Sequence, residues 1–255
     1  MSAVTDWLAD SRALCERAQR HYDEYQGLVG RNGQRTLWQT EEFHDSGADT
    51  YSYALKLNRD VLAQLKPVAA DIANNLVHSL DQLGSAAARL NGHDRDSAKL
   101  YFPWKVVVDA EFEKELRILT KFIGRGFADR IREVRDRHRP WLTQVQAVKT
   151  LSTWGKHWAL VPSKTSPVAV AVTLPNQGQK IWDVPRDTFQ KVDEYTFAVG
   201  VPRIVRPFNF VFQLTFEGVD PNVSVSPDSL FNSTFRYVRE MIAVNETHYS
   251  TAGGA

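Results

Sequence analysis

A single cysteine, Cys15, stands in a chain of 255 residues. One thiol can form neither an internal disulfide nor a cysteine-rich zinc site, so Cys15 reads as a packed thiol on a helix. Net charge is scarce as well: 31 Lys and Arg face 30 Asp and Glu, a formal balance of +1. No global field draws such a molecule onto nucleic acid or anionic lipid, and any attraction of that kind has to be local. No stretch approaches the ~18 apolar residues of a membrane span. The first residues, MSAVTDWLADSRALCERAQRHY, carry charges throughout and no apolar run ahead of a small-residue cleavage site. A soluble, cytoplasmic protein is expected, in which the sequons at Asn222, Asn232 and Asn245 have no role. Also lacking are the G-x-x-x-x-G-K-[ST] loop, the G-x-S-x-G elbow and a G-x-G-x-x-G turn after a strand, and Gly155-Lys156 has neither the upstream glycine nor the Ser/Thr of a phosphate loop. The seven histidines show no H-x-x-x-H or H-E-x-x-H spacing. Neither a cofactor nor a metal is expected.

What is present is enough apolar and aromatic material, 43% and 11%, to build a sizeable core. Leu8, Leu14, Cys15, Ala18, Tyr22 and Tyr25 predict a helix over 5–28. TLWQTEEFH and TYSYALKLN alternate around Asp45–Asp49 and predict a β-hairpin. From Val61 to Leu90 the stripe Leu65, Ala69, Ile72, Leu76, Leu80, Leu83 and Ala87 predicts a long helix, with Pro67 near its start and Asn91-Gly92 closing it. YFPW at 101–104 reads as an extended anchor. Asp109 is the expected cap of a charged helix to about Ile123, and further helices follow over about 127–137 and from Pro140 towards Trp154. HWALVP, VAVAVTL and FNFVFQLTF read as strands, and Asp228 as the cap of a closing helix with Phe231, Phe235, Val238 and Ile242 on one face. The fold class is α+β in a single domain over 1–255: the hairpin and a helical core over 5–160, then a β-rich accessory part and the closing helix over 161–245.

The long helix has a second face. At 100° per residue Asp71, Asn75, His78, Gln82 and Arg89 fall in an arc of roughly 60°, and the leucine stripe is centred about 120° away. Solvated helix faces are rich in long charged residues; residues 67–88 hold no Lys, Arg or Glu, whereas 109–122 hold seven charged residues. This face therefore reads as a pocket or an interface, with a polar network in the core and plain solvent as the alternatives.

A second concentration of chemistry is RGFADRIREVRDRHR at 125–139, with six arginines and one histidine against three acids. Arg132, Arg135, His138 and Arg139 are candidate phosphate contacts, set against a face of internal ion pairs. Arg132 and His138 have Arg-x5-His spacing but lie about 120° apart on a helix. Trp141, Trp154 and Trp158 read as core or as base-stacking platforms. Lys156 and His157 follow Gly155 at an expected helix-to-strand change, where they hold a turn or complete a pocket with Asn75 and Asp81.

The ordered segments AADIANNLVHSLDQLGSAAAR, YFPW and LSTWGKHWALVP resemble a family of uncharacterised bacterial proteins with an IGDALHNLRSALDHLAYAL helix, an FPI step and an LSNIDKHR segment. The likeness covers roughly 36–245. Within that family the R-S-A-L-D-H element is similar to the Arg-x(4–6)-His signature of HEPN domains, helical bundles that often dimerise and include ribonucleases and non-catalytic nucleotide- or RNA-binding members. Asn75 matches the Asn before the family's arginine, Asp81 its Asp, and Lys156 with His157 its Lys-His pair. Val77 stands in place of the arginine and Gln82 in place of the histidine, so phosphate binding and proton transfer lack their residues there. The resemblance implies an HEPN-like helical core with an N-terminal β-hairpin and a β-rich C-terminal part. It implies a bacterial, cytoplasmic homodimer, paired through the polar helix, that binds RNA, a nucleotide or another phosphate-bearing partner without cutting it. The rivals are a ribonuclease using a displaced His78, Arg132, His138 or His157, and an interaction module with no nucleic-acid role.

Overall fold

A computed structural model describes residues 6–29, 37–93, 100–157, 163–174, 178–185, 188–216 and 226–252. The fold mixes helix and strand, as the α+β expectation requires. The chain forms two compact units, one gathering Met1–Asp23, Val68–Val161 and Gly218–Ala255, the other Glu24–Pro67 and Pro162–Glu217. Among the described residues no helix is long and apolar enough to cross a membrane.

The second unit holds two three-stranded sheets. In one, β1 (Trp38–Asp45) and β2 (Thr50–Leu57) form the expected hairpin, with Trp38 opposite Leu57 and Asp45 opposite Thr50. β2 also pairs antiparallel with β5 (Glu194–Val201), so the hairpin is continuous with C-terminal sequence, where the sequence grouped it with the helices. Tyr53 is sealed at 0% exposure, and its hydroxyl accepts the Ile204 N–H at 2.8 Å. The other sheet has the order β4-β3-β6, from β3 (Ser163–Leu174), β4 (Gly178–Asp183) and β6 (Val205–Phe216). VAVAVTL and FNFVFQLTF are in β3 and β6 as expected, whereas β4 and β5 carry too few β-branched residues in a row to announce themselves. The four-residue helix α6 (Thr188–Lys191) precedes β5.

The first unit is helical. It draws on α1 (Ala9–Val29), α2 (Arg59–Leu90), α3 (Asp109–Ile123), α4 (Arg125–Arg137), α5 (Leu142–His157) and α7 (Pro227–Ala252). Every residue of the expected α2 stripe is buried, as are Phe112, Leu116, Leu119 and Ile123 of α3 and Phe231, Phe235, Val238 and Ile242 of α7. Cys15 is a buried free thiol on α1, and burial raises its pKa.

Several boundaries differ from expectation for local reasons. α2 starts at Arg59, because the Asn58 side chain accepts the Asp60 and Val61 N–H groups at 3.2 Å each. Pro67 consequently lies inside the helix. The loss of one ladder bond and the ring clash cost about 3 kcal/mol, while each large apolar residue buried along the stripe returns about 1.5–3 kcal/mol. Asp109 is the first residue of α3 and not its cap, because its carboxylate is held by Arg135. Ser226, not Asp228, caps α7 through the Ser229 N–H at 3.2 Å; Asp228 accepts the Tyr22 hydroxyl. Gly155, Lys156 and His157 continue α5, so the helix-to-strand change expected there is absent, and 158–162 lie outside the described residues. Asn245 is fully buried between Arg130 and Met241, so its sequon is closed to any enzyme.

Gly92 ends α2 at φ +81°, with the His93 N–H reaching back to the Ala88 carbonyl. Gly124 joins α3 to α4 in a single residue, at φ 76° and ψ 161°. Only glycine adopts that conformation without strain. Asn91 braces the corner by donating to the Ala87 and Ile123 carbonyls at 2.8 and 3.0 Å. A Cβ on Gly124 would stand 3.4 Å from the Asn91 Oδ1. Gly124→Ala is expected to lower stability by about 1–3 kcal/mol in chemical denaturation, and Gly92→Ala, with open space around its Cβ, by the smaller share that the positive φ alone imposes.

Candidate phosphate-binding groove

The polar residues of α2 are spent mostly inside the helical unit. Ser79 and Ser11 of α1 exchange bonds: each hydroxyl donates to the other's carbonyl, at 2.7 and 2.8 Å. Ser152 of α5 donates to Asn74 at 2.8 Å. Asn75, 8% exposed, returns its amide N–H to the Asp71 carbonyl one turn back. Asp81 binds the YFPW segment: its Oδ1 accepts the Phe102 N–H at 2.9 Å and the Trp104 indole N–H at 3.3 Å. Burial raises the Asp81 pKa, and those two bonds and the charges of Lys149 and His78 oppose the rise. Of the face expected to be a pocket or interface, Asn75 is buried, His78 and Gln82 are half-buried and Asp71 is exposed, while the bonded Asn74, Ser79 and Asp81 stand outside its arc. The charges of His78 and Lys149 act on Asp81 through space. Lys149 was not a candidate from sequence, since a lone lysine in a helix has no distinguishing pattern. Lys156 and His157 are in the last turn of α5, and their side chains lie outside the described residues.

Val77, at the position of the resembled arginine, is completely buried in the core. Gln82 is half-buried and has no group that exchanges a proton near neutral pH.

The arginine cluster divides by partner. Arg135 is 3% exposed, lies 4.4 Å over the Phe112 ring, donates to the Val106 carbonyl at 2.8 Å and pairs with Asp109 and Asp136. It is a structural group, out of reach of an external phosphate. His138 is 5% exposed and bound to Glu240 at 2.6 Å, which removes it from any surface Arg-x5-His pair. Arg139 bridges Asp109 and Asp136 at 3.5 and 3.3 Å. Arg132 grips Glu113 with two bonds, 2.7 and 2.9 Å, and Asp129 with a third. The bidentate contact lowers the Glu113 pKa and raises that of Arg132. Of the four expected phosphate contacts, Arg132 lines a cavity.

That cavity, about 630 Å³, lies between α3 and α4. Glu113, Arg117 and Lys121 recur every four residues on α3, and Arg125, Asp129 and Arg132 recur at four and three on α4, so each set lies on one helical face. Gly124 closes one end, where the helices meet. The Arg132–Glu113 clasp, about 10 Å along α4 by helical rise, ties them again. Between these ends stand Arg117, Lys121 and Arg125, all exposed, and no described residue forms an ion pair with Lys121 or Arg125. Four cations face two acids in the lining, and the acids are both turned to Arg132. Such a groove can accept oxyanions by charge-assisted bonds, with arginine matching two oxygens at once. The spacing of four was readable in the sequence. What was not readable is that the chain doubles back at Gly124 and lays the two stripes side by side.

The Asp81 contacts predict a pair of variants. Asp81→Ala strands two donors and is expected to cost about 1–3 kcal/mol in denaturant unfolding. Asp81→Asn keeps an acceptor oxygen and removes the buried charge. Because the folded-state pKa of Asp81 is raised, its contribution is full below the ordinary aspartate pKa and is lost as pH rises through the folded value. The wild type should therefore lose stability relative to Asp81→Asn between acidic and neutral buffer; a gap that widens in the opposite sense would contradict this. In comparison with known proteins, no family model, no curated protein and no solved structure matches the chain.

Proposed function

We propose that this protein binds single-stranded RNA through its phosphates, in the groove between α3 and α4, and does not cleave it. The observation that carries the reading is the set of Arg117, Lys121 and Arg125, lined up over one cavity, with Lys121 and Arg125 free of ion pairs among the described residues. Near-neutral net charge makes a local cluster of this kind the means by which a polyanion is held. RNA is the polyanion suggested by the segment resemblance, which also carries the reading of the helical unit as an HEPN-like core and of the protein as a bacterial homodimer. Buried Val77 and the enclosed His138 support binding without catalysis. A pairing surface in the dimer lies away from Asn74, Asn75, Ser79 and Asp81, whose bonds are made within the unit.

Fluorescence anisotropy with a labelled single-stranded RNA, at several salt concentrations, tests this directly. Affinity should fall linearly on a log–log plot, with a slope of about −0.7 for each phosphate contacted. Lys121→Ala and Arg125→Ala should each weaken binding and flatten the slope by about one contact, while Arg139→Ala, with both of its carboxylate partners in place in the wild type, should not. The RNA should be recovered intact, and size-exclusion chromatography with light scattering should report two chains. No binding at low salt, or equal effects of all three variants, would refute the groove; cleaved RNA would restore the ribonuclease reading.

A further inference from the structure

A second cavity of the helical unit, about 430 Å³, has a different chemistry. Its walls are Tyr101, Phe102 and Trp104 from the YFPW segment, Ile118 and Leu119 from α3, and Lys149 from α5. Phe102 and Trp104 are buried, their rings edge to face at 5.5 Å, and both are fixed from behind by the Asp81 carboxylate. Tyr101 and Ile118 are 63% and 57% exposed, so two large apolar side chains border the hollow with no protein cover. The cavity has the size and the aromatic lining of a small-molecule site.

Only two lining residues are charged. Glu115 already accepts the Lys105 backbone N–H at 3.2 Å. Lys149 has its ammonium 5.9 Å from the Trp104 ring centroid, and no described carboxylate lies within ion-pair distance of it. Asp81 moderates the Lys149 charge through space, but it is not part of the lining and its Oδ1 holds two donors. The cavity thus presents an aromatic and aliphatic surface with an ammonium beside a π face. That combination matches a flat apolar body carrying one anionic group: the body covers Tyr101, Trp104 and Ile118, and the anion takes the open N–H donors of Lys149.

We propose that this cleft is a binding site for a small aromatic carboxylate, with its ring among Tyr101, Trp104 and Ile118 and its carboxylate on Lys149. The site is separate from the α3–α4 groove and stands whether or not RNA binds there.

The test uses the full chain and ligand-observed NMR, with calorimetry for affinity. Benzoate, 3-phenylpropionate, indole-3-acetate and 1-naphthoate are the probes, each beside its neutral primary amide. At least one acid should bind saturably, and about tenfold more tightly than its amide. Lys149→Met should reduce the acid to the affinity of the amide with unchanged circular dichroism. Ile118→Glu, a change at an exposed position, should abolish binding of the acid and leave RNA affinity unaltered. Absence of saturable binding by all four acids, equal affinity of acid and amide, or full affinity in Lys149→Met would each overturn the assignment.

Discussion

A polar group withdrawn from water must find another polar group, and in this protein that requirement is met at three positions spread around α2. The leucines of α2 alone would hold it in a helical unit in many rotational settings, because apolar burial has no direction. Its polar residues remove that freedom. Ser79 fixes α1, Asn74 fixes α5, and Asp81 fixes the segment that leads to α3. Each bond contributes only about 1 kcal/mol, but leaving one unmade costs about 1–3 kcal/mol, so the set selects one arrangement of neighbours. Both cavities descend from it. The Asp81 anchor positions the aromatic wall of the smaller one, and Asn91, at the end of the same helix, braces the corner at Gly124 where the groove begins.

Arginine serves three ends within a few residues of α4. Arg135 lies flat on Phe112 and satisfies a backbone carbonyl in the interior. Arg132 ties α4 to α3 through a two-pronged contact to Glu113. Arg125 faces the groove without a described ion-pair partner. Residue type does not separate these roles, because the guanidinium is the same in each. The surroundings do: a ring, a carboxylate or open space. The placement is consistent with ordinary electrostatics, in which a buried charge needs a partner and an exposed one in a groove is left for a ligand.

Elements with a strong period were legible from residues alone. The α2 stripe, the α7 face, the hairpin and the two apolar strands all follow from spacing of side chains along one segment. Starts and stops were less legible. Asn58, Ser226 and the continuation of α5 through His157 each depend on one hydrogen bond or on packing from a distant segment. The candidate site was legible only in composition. The polar face of α2 and the arginine cluster were both visible, the reading of the cluster changed when its carboxylate partners were identified, and Lys149 had no mark that set it apart.

By itself the sequence determined the α+β class, the helical middle, the buried faces and the lack of an overall charge, since these depend on periodicity and composition carried within single segments. The tertiary structure alone decided that Asn74, Ser79 and Asp81 of α2 are bonded to its neighbours, that the hairpin shares a sheet with β5, and that two stripes of α3 and α4 border one groove. The reason is physical: a hydrogen bond or an ion pair is a relation between two groups, and in this chain the partner of Ser79 is 68 residues away and that of His138 is 102.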